Sequence, residues 1–112
     1  MTFQKIEDAL VSVTEKTYRS FAPEGEEPPY IIWDHDGQAF SLCGDGATRI
    51  QVLEGTIDLI TKTEDDPLFG QIQKAMNNAG VGFRYNSKQD EESAGITITH
   101  HEWVWQLPME VE

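Results

Sequence analysis

The stretch Arg49-Ile50-Gln51-Val52-Leu53-Glu54-Gly55-Thr56-Ile57-Asp58-Leu59-Ile60-Thr61, with the segment from Asp66-Pro67 to Ala79-Gly80 that follows it, decides the fold. Its first part is rich in β-branched and apolar residues and reads as a long strand. Ile50 and Val52 share one parity, Ile57 and Leu59 the other. Because strand side chains alternate faces, the switch predicts a bulge at Glu54-Gly55. The second part reads as a helix with clear ends: Asp66 as cap, Pro67 at the first position and Gly80 at the exit. Phe69, Ile72, Met76 and Ala79 line one side of it.

Upstream, Phe3, Ile6, Leu10 and Val13 recur at helical spacing, predicting an amphipathic first helix that ends near Thr17. Residues 22–29 form a proline- and acid-rich loop. Tyr30-Ile31-Ile32-Trp33 suits a buried strand. Asp34-His35-Asp36-Gly37 reads as a tight turn into a weaker strand at 38–42, making a hairpin. Residues 43–48 read as a flexible tip. Downstream, Val81 to Tyr85 begins a strand, residues 88–95 form a polar turn, and Ile96 to Leu107 is the last strand. Its parity also changes, which predicts a bulge or strong bend near His100-His101. Met109 to Glu112 reads as a frayed tail. The expected fold class is α+β, in the order α-β-β-β-α-β-β: a largely antiparallel, bulged sheet with two helices on one face. No repeat or linker interrupts the chain, so residues 1–112 are expected to form one domain.

Composition restricts function. The 112 residues are 38% hydrophobic, with three Trp and five Phe, enough for one modest core. Eight Lys plus Arg against 20 Asp plus Glu give a net charge of −12. That disfavours nucleic-acid wrapping and anionic membranes. It suits solubility, or a surface that DNA passes without sticking or that imitates DNA. The single Cys43 cannot form an internal disulfide. The N-terminus lacks a signal-peptide core and no run approaches the ~20 apolar residues of a membrane span, so a soluble protein made in the cytoplasm is expected.

No catalytic pattern stands out, and the chain is expected not to be an enzyme. His100-His101-Glu102 invites a metal reading, with His35 as a remote third ligand. Adjacent strand residues point to opposite faces, however, so the two histidines do not readily share a metal. Asp34-His35-Asp36-Gly37 lacks calcium-loop spacing, and Gly44-Asp45-Gly46 lacks the Lys-Ser or Lys-Thr of a phosphate loop. Glu64-Asp65-Asp66 fits favourable charge at a helix N-terminus. Trp33, Trp103, Trp105, Tyr30 and Phe83 fall on predicted strands, as core residues or, for one or two of them, at an interface. No catalytic residue, metal or cofactor is expected.

Four segments carry a family resemblance: residues 29–33 (Pro-Tyr-Ile-Ile-Trp), residues 54–63 leading into Asp65-Asp66-Pro67, residues 75–81 (Ala-Met-Asn-Asn-Ala-Gly-Val), and residues 101–105 (His-Glu-Trp-Val-Trp). In this order they resemble small tail proteins of long-tailed double-stranded-DNA phages and prophages, the tail completion, tail terminator or minor tail components. The resemblance implies a structural virion subunit that forms a homo-oligomeric, hexameric ring at the head-proximal end of the tail tube. Its partners would be its own copies, the tail tube protein and a head-tail connector or neck protein, and its place the virion tail. The glycine and acid content of residues 43–48 and 22–29 nominates Gly44, Asp45, Gly46, Glu24, Glu26 and Glu27 as facing a DNA-conducting lumen or an axial partner. Two rival readings are an acidic DNA-mimic inhibitor of a host nucleic-acid-binding enzyme, and a small metal enzyme using the three histidines.

Overall fold

A computed structural model describes residues 3–111, of Ser93 the backbone only; Met1, Thr2 and the last residue of the expected tail, Glu112, lie outside the described residues. The elements are α1 (Gln4–Val11), β1 (Thr17–Arg19), β2 (Tyr30–Gly44), β3 (Ala47–Thr61), α2 (Leu68–Ala79), β4 (Gly82–Ser93) and β5 (Ile96–Glu110). The five strands form one sheet in the order β1-β2-β3-β5-β4, antiparallel except for the short β1–β2 pair. The class is α+β, with both helices packed on one face.

The core lies between that face and the helices. Ile6 and Leu10 of α1 and Ile72 and Met76 of α2 bury against Ile31, Trp33, Ile57, Leu59, Trp103, Trp105 and Leu107. All three tryptophans are core residues, and each indole N–H is satisfied. Trp33 donates to Glu7 Oε2 (3.0 Å), Trp103 to Gln73 Oε1 (3.0 Å) and Trp105 to the Asp34 carbonyl (3.1 Å). A buried indole needs such a partner, and two of the three come from helices, which locks helix to sheet.

The boundaries of α2 match the sequence reading. Asp66 Oδ1 accepts the Leu68 N–H at 2.8 Å, and Gly80 closes the helix in the left-handed region at φ 73°. The first helix is shorter than expected. It ends at Val11, and after a turn Thr17 anchors the chain through its hydroxyl to the Thr14 carbonyl (2.7 Å), starting the unforeseen strand β1.

Several strand-level expectations are corrected. Asp34-His35-Asp36-Gly37 is no turn and residues 30–42 are no hairpin, because β2 runs unbroken from Tyr30 to Gly44. Turn-forming residues here accommodate a bulge, with Asp36 the extra residue between the His35–Gly55 and Gly37–Glu54 pairs. The Ser20 hydroxyl and the His35 N–H, both 2.8 Å away, hold the Asp34 carboxylate, and together they keep its pKa below the ordinary 3.8. No bulge breaks β3 against β5, whose pairing is continuous from Ile50–Glu110 to Thr61–Thr99, so neither Glu54-Gly55 nor His100-His101 is bulged there. The parity switches arise because both sheet faces shelter apolar residues: Val52 faces away from the helices, Ile57 and Leu59 towards them. The tip at 43–48 is a tight two-residue turn, Asp45-Gly46, with φ 55° and 77°. Positive φ at both central residues makes the mirror-image turn that matches strand twist and favours glycine. The polar turn expected at 88–95 is likewise only Ala94-Gly95, with β4 extending to Ser93. The expected frayed tail is paired through Glu110, and the Val111 N–H bonds the Arg49 carbonyl at 2.8 Å.

Gly55 permits the closest approach in the sheet. A Cβ there would lie 1.9 Å from the Asp34 carbonyl oxygen and 2.6 Å from the Trp105 ring, whereas one at Gly37 would meet nothing within 4 Å. Gly55→Ala is therefore expected to destabilise the fold by about 3 kcal/mol through overpacking. Gly37→Ala should change stability by less than about 1 kcal/mol. Urea unfolding followed by tryptophan fluorescence compares the two.

Candidate assembly surface

The sheet outgrows its core. Beyond the Ile50–Glu110 pair only β2 and β3 continue, and beyond Thr61–Thr99 only β4 and β5 do, so a two-stranded arm projects from each end. The molecule measures 59 × 25 × 23 Å with a radius of gyration of 15.6 Å, against about 13 Å for a compact domain of this length.

The β2–β3 arm carries an apolar stripe on the face away from the helices. Phe40 pairs with Val52, Leu42 with Ile50, and Val52 on its other side with Pro108. Phe40 is 50% exposed and Leu42 53%. Between residues 37 and 48 the only charged side chain is Asp45, in a chain where a quarter of residues are charged. Beyond Trp33, where β1 stops, this part of β2 is also the sheet edge. Contiguous exposed apolar surface of this kind is characteristic of contact sites. Sequence reading missed it because it divided β2 at residues 34–37, which hid that Phe40 and Leu42 face Val52 and Ile50.

The structure places the nominated loop residues apart. Gly44, Asp45 and Gly46 form the tip of the β2–β3 arm, with the Asp45 side chain 95% exposed and 3.7 Å from the Arg49 guanidinium. Glu24, Glu26 and Glu27 precede β2 at its opposite end, roughly 45 Å away at about 3.3 Å per strand residue. Glu24 and Glu27 are exposed. Glu26 instead anchors its loop: the Tyr18 hydroxyl donates to its carboxylate and Lys16 pairs with it at 3.2 Å. The Tyr18 hydrogen bond chiefly holds the Glu26 pKa below its ordinary 4.5. The two loops therefore do not form one site.

The three histidines are separated as well. His35 stacks on Phe3 with ring centroids 4.6 Å apart, near α1. His100 lies on the open face, its Nε2 2.9 Å from Asp58 Oδ1, and His101 lies on the helix face with its Nδ1 2.9 Å from the Tyr85 hydroxyl. Among the described residues, no group of three His, Cys, Asp or Glu side chains is arranged to hold a metal ion.

Comparison with solved structures shows where this architecture recurs. A chain from the virion of a native gene transfer agent particle aligns over 97% of this chain and 91% of its own, at 15% identity and a TM-score of 0.60. The two share a fold. A second solved protein aligns over 100% of this chain and 99% of its own at 11% identity, but with a TM-score of 0.44 it carries no argument. No family model and no curated protein sequence matches the chain.

The His100–Asp58 pair joins β5 to β3 on the open face. The Asp58 hydrogen bond is the main cause that raises the His100 pKa above the ordinary imidazole value of 6.5, against the opposing effect of burial. A raised folded-state value means that the pair's contribution to stability is complete below pH 6.5 and is lost as pH rises through the folded value. In Asp58→Asn the His100 ring should titrate at lower pH than in the wild type, as read by NMR of the imidazole protons.

Proposed function

We propose that this chain is a structural virion protein of a phage or prophage tail. It assembles into a homo-oligomeric ring of the tail-terminator type at the head-proximal end of the tail tube, where it ends tube growth and meets the neck. The observation that carries this reading is the fold shared, over nearly the full length of both chains, with a component of a gene transfer agent virion. The segments that resemble tail terminator and tail completion proteins supply the finer assignment, and the role is non-catalytic.

The β2–β3 arm supports the reading physically. A heterologous contact, in which one patch meets a different patch on the next copy, closes into a ring when its rotation permits. An elongated subunit with an apolar stripe near one end is suited to such head-to-tail contact. The stripe is also where a chain of charge −12 can approach another with least repulsion. Acidic surface elsewhere would let DNA pass along the axis without adhering.

Light scattering over a wide concentration range, with and without tail tube protein, tests the proposal. The expected result is a discrete species near six times the 12.7 kDa of one chain. Phe40→Asp with Leu42→Asp should abolish it while leaving the tryptophan core folded. A chain that stays monomeric both alone and with tube protein, yet binds a basic nuclease in a salt-sensitive manner, would replace this reading with DNA mimicry.

A further inference from the structure

A cleft of about 420 Å³ opens between the start of α2 and the base of the β4–β5 arm, at the opposite end of the molecule from the apolar stripe. Its rim is acidic, with Glu64 and Asp65, and its wall is aromatic. Phe69 and Tyr85 meet edge to face at 5.3 Å, with Tyr85 43% exposed. Asp66 is committed elsewhere, to the Thr61 hydroxyl (2.6 Å) and the Leu68 N–H. Asp65 makes no ion pair among the described residues.

Two further features specify the ligand. Lys88 already holds its ammonium in the cleft, 2.9 Å from Glu64 and 3.3 Å from Asp90, so the rim accepts a cation in the chain's own fold. Lys88 can yield Glu64 to an incoming cation and stay paired with Asp90. His101, 3% exposed, lines the cleft, and its Nε2 has no hydrogen-bond partner among the described residues. Buried polar atoms are normally satisfied, so this one calls for a partner. If Nδ1 donates to the Tyr85 hydroxyl, Nε2 is left as an acceptor.

We propose that this cleft receives an arginine side chain from a basic segment of a partner protein. Guanidinium combines what the cleft asks for: positive charge for Glu64 and Asp65, a flat face for Phe69 and Tyr85, and several N–H donors for the carboxylates. The net charge of −12 draws a basic segment in. The proposal does not depend on the tail-assembly reading.

The test is an NMR titration of the labelled protein at low salt with acetyl-Gly-Arg-Gly-amide, and with its lysine counterpart as control. The expected result is saturable shifts centred on the His101 and Tyr85 rings, tighter for arginine than for lysine. Glu64→Gln with Asp65→Asn should weaken binding about tenfold, as loss of two exposed ion pairs allows. Lys88→Met, which frees Glu64, should keep or strengthen it. Equal affinity for both peptides overturns the arginine assignment. Shifts spread over the acidic surface and unchanged in the double variant overturn the site. Self-association of the free protein that the double variant abolishes assigns the cleft to a second copy instead.

Discussion

The sheet is organised around the absence of a side chain at Gly55. Into that space come the Asp34 carbonyl from β2 and the Trp105 ring from β5, and the two are joined by the indole hydrogen bond of 3.1 Å. Three adjacent strands are fixed at one point. The β2 bulge immediately follows, because a carbonyl drawn over β3 breaks the regular ladder and leaves Asp36 as an extra residue. Phe3 packs edge-on to Trp105 at 5.8 Å and stacks on His35, so the start of α1 is located by the same junction.

How far the fold was legible depended on how local its determinants were. The ends of α2 are set by Asp66, Pro67 and Gly80, all within a turn of the boundary, and they read correctly. The strand parities misled because inference from alternation presumes one buried face. Here Val52 is sheltered by Phe40 and Pro108 on the open face, while Leu59 and Trp103 fill the helix face. Asp34-His35-Asp36-Gly37 has the composition of a turn, and only the partner strand across from it decides that it bulges instead. That information is non-local. Thr17–Arg19 is too short to show a period and exists as a strand because β2 lies beside it.

The same distinction governs the candidate sites. Glycine and acid content located the Asp45-Gly46 tip but said nothing of its roughly 45 Å separation from Glu24 and Glu27. The apolar stripe needs the register of three strands before it exists as a surface. The cleft joins residues from the loop before α2, the helix itself, β4 and β5. Glu64, Phe69, Tyr85 and His101 are individually ordinary, and only the fold brings them together.

The two edges of the sheet are treated differently, and this bears on how copies of the chain could meet. The β4 edge carries Arg84, Lys88, Asp90, Glu91 and Glu92, the charged guard that blocks pairing with another strand. The β2 edge has no charge from Gly37 to Gly44, but extra residues at Asp36 and Ala39 disturb its ladder. A second strand could not run in register along it, so open-ended growth of the sheet is discouraged on that side as well. What remains available on β2 is side-chain contact through Phe40 and Leu42. Such contact depends on shape and buries a limited patch, whereas backbone pairing can repeat without limit. Whether such contact closes or propagates is then set by the rotation it imposes between successive copies.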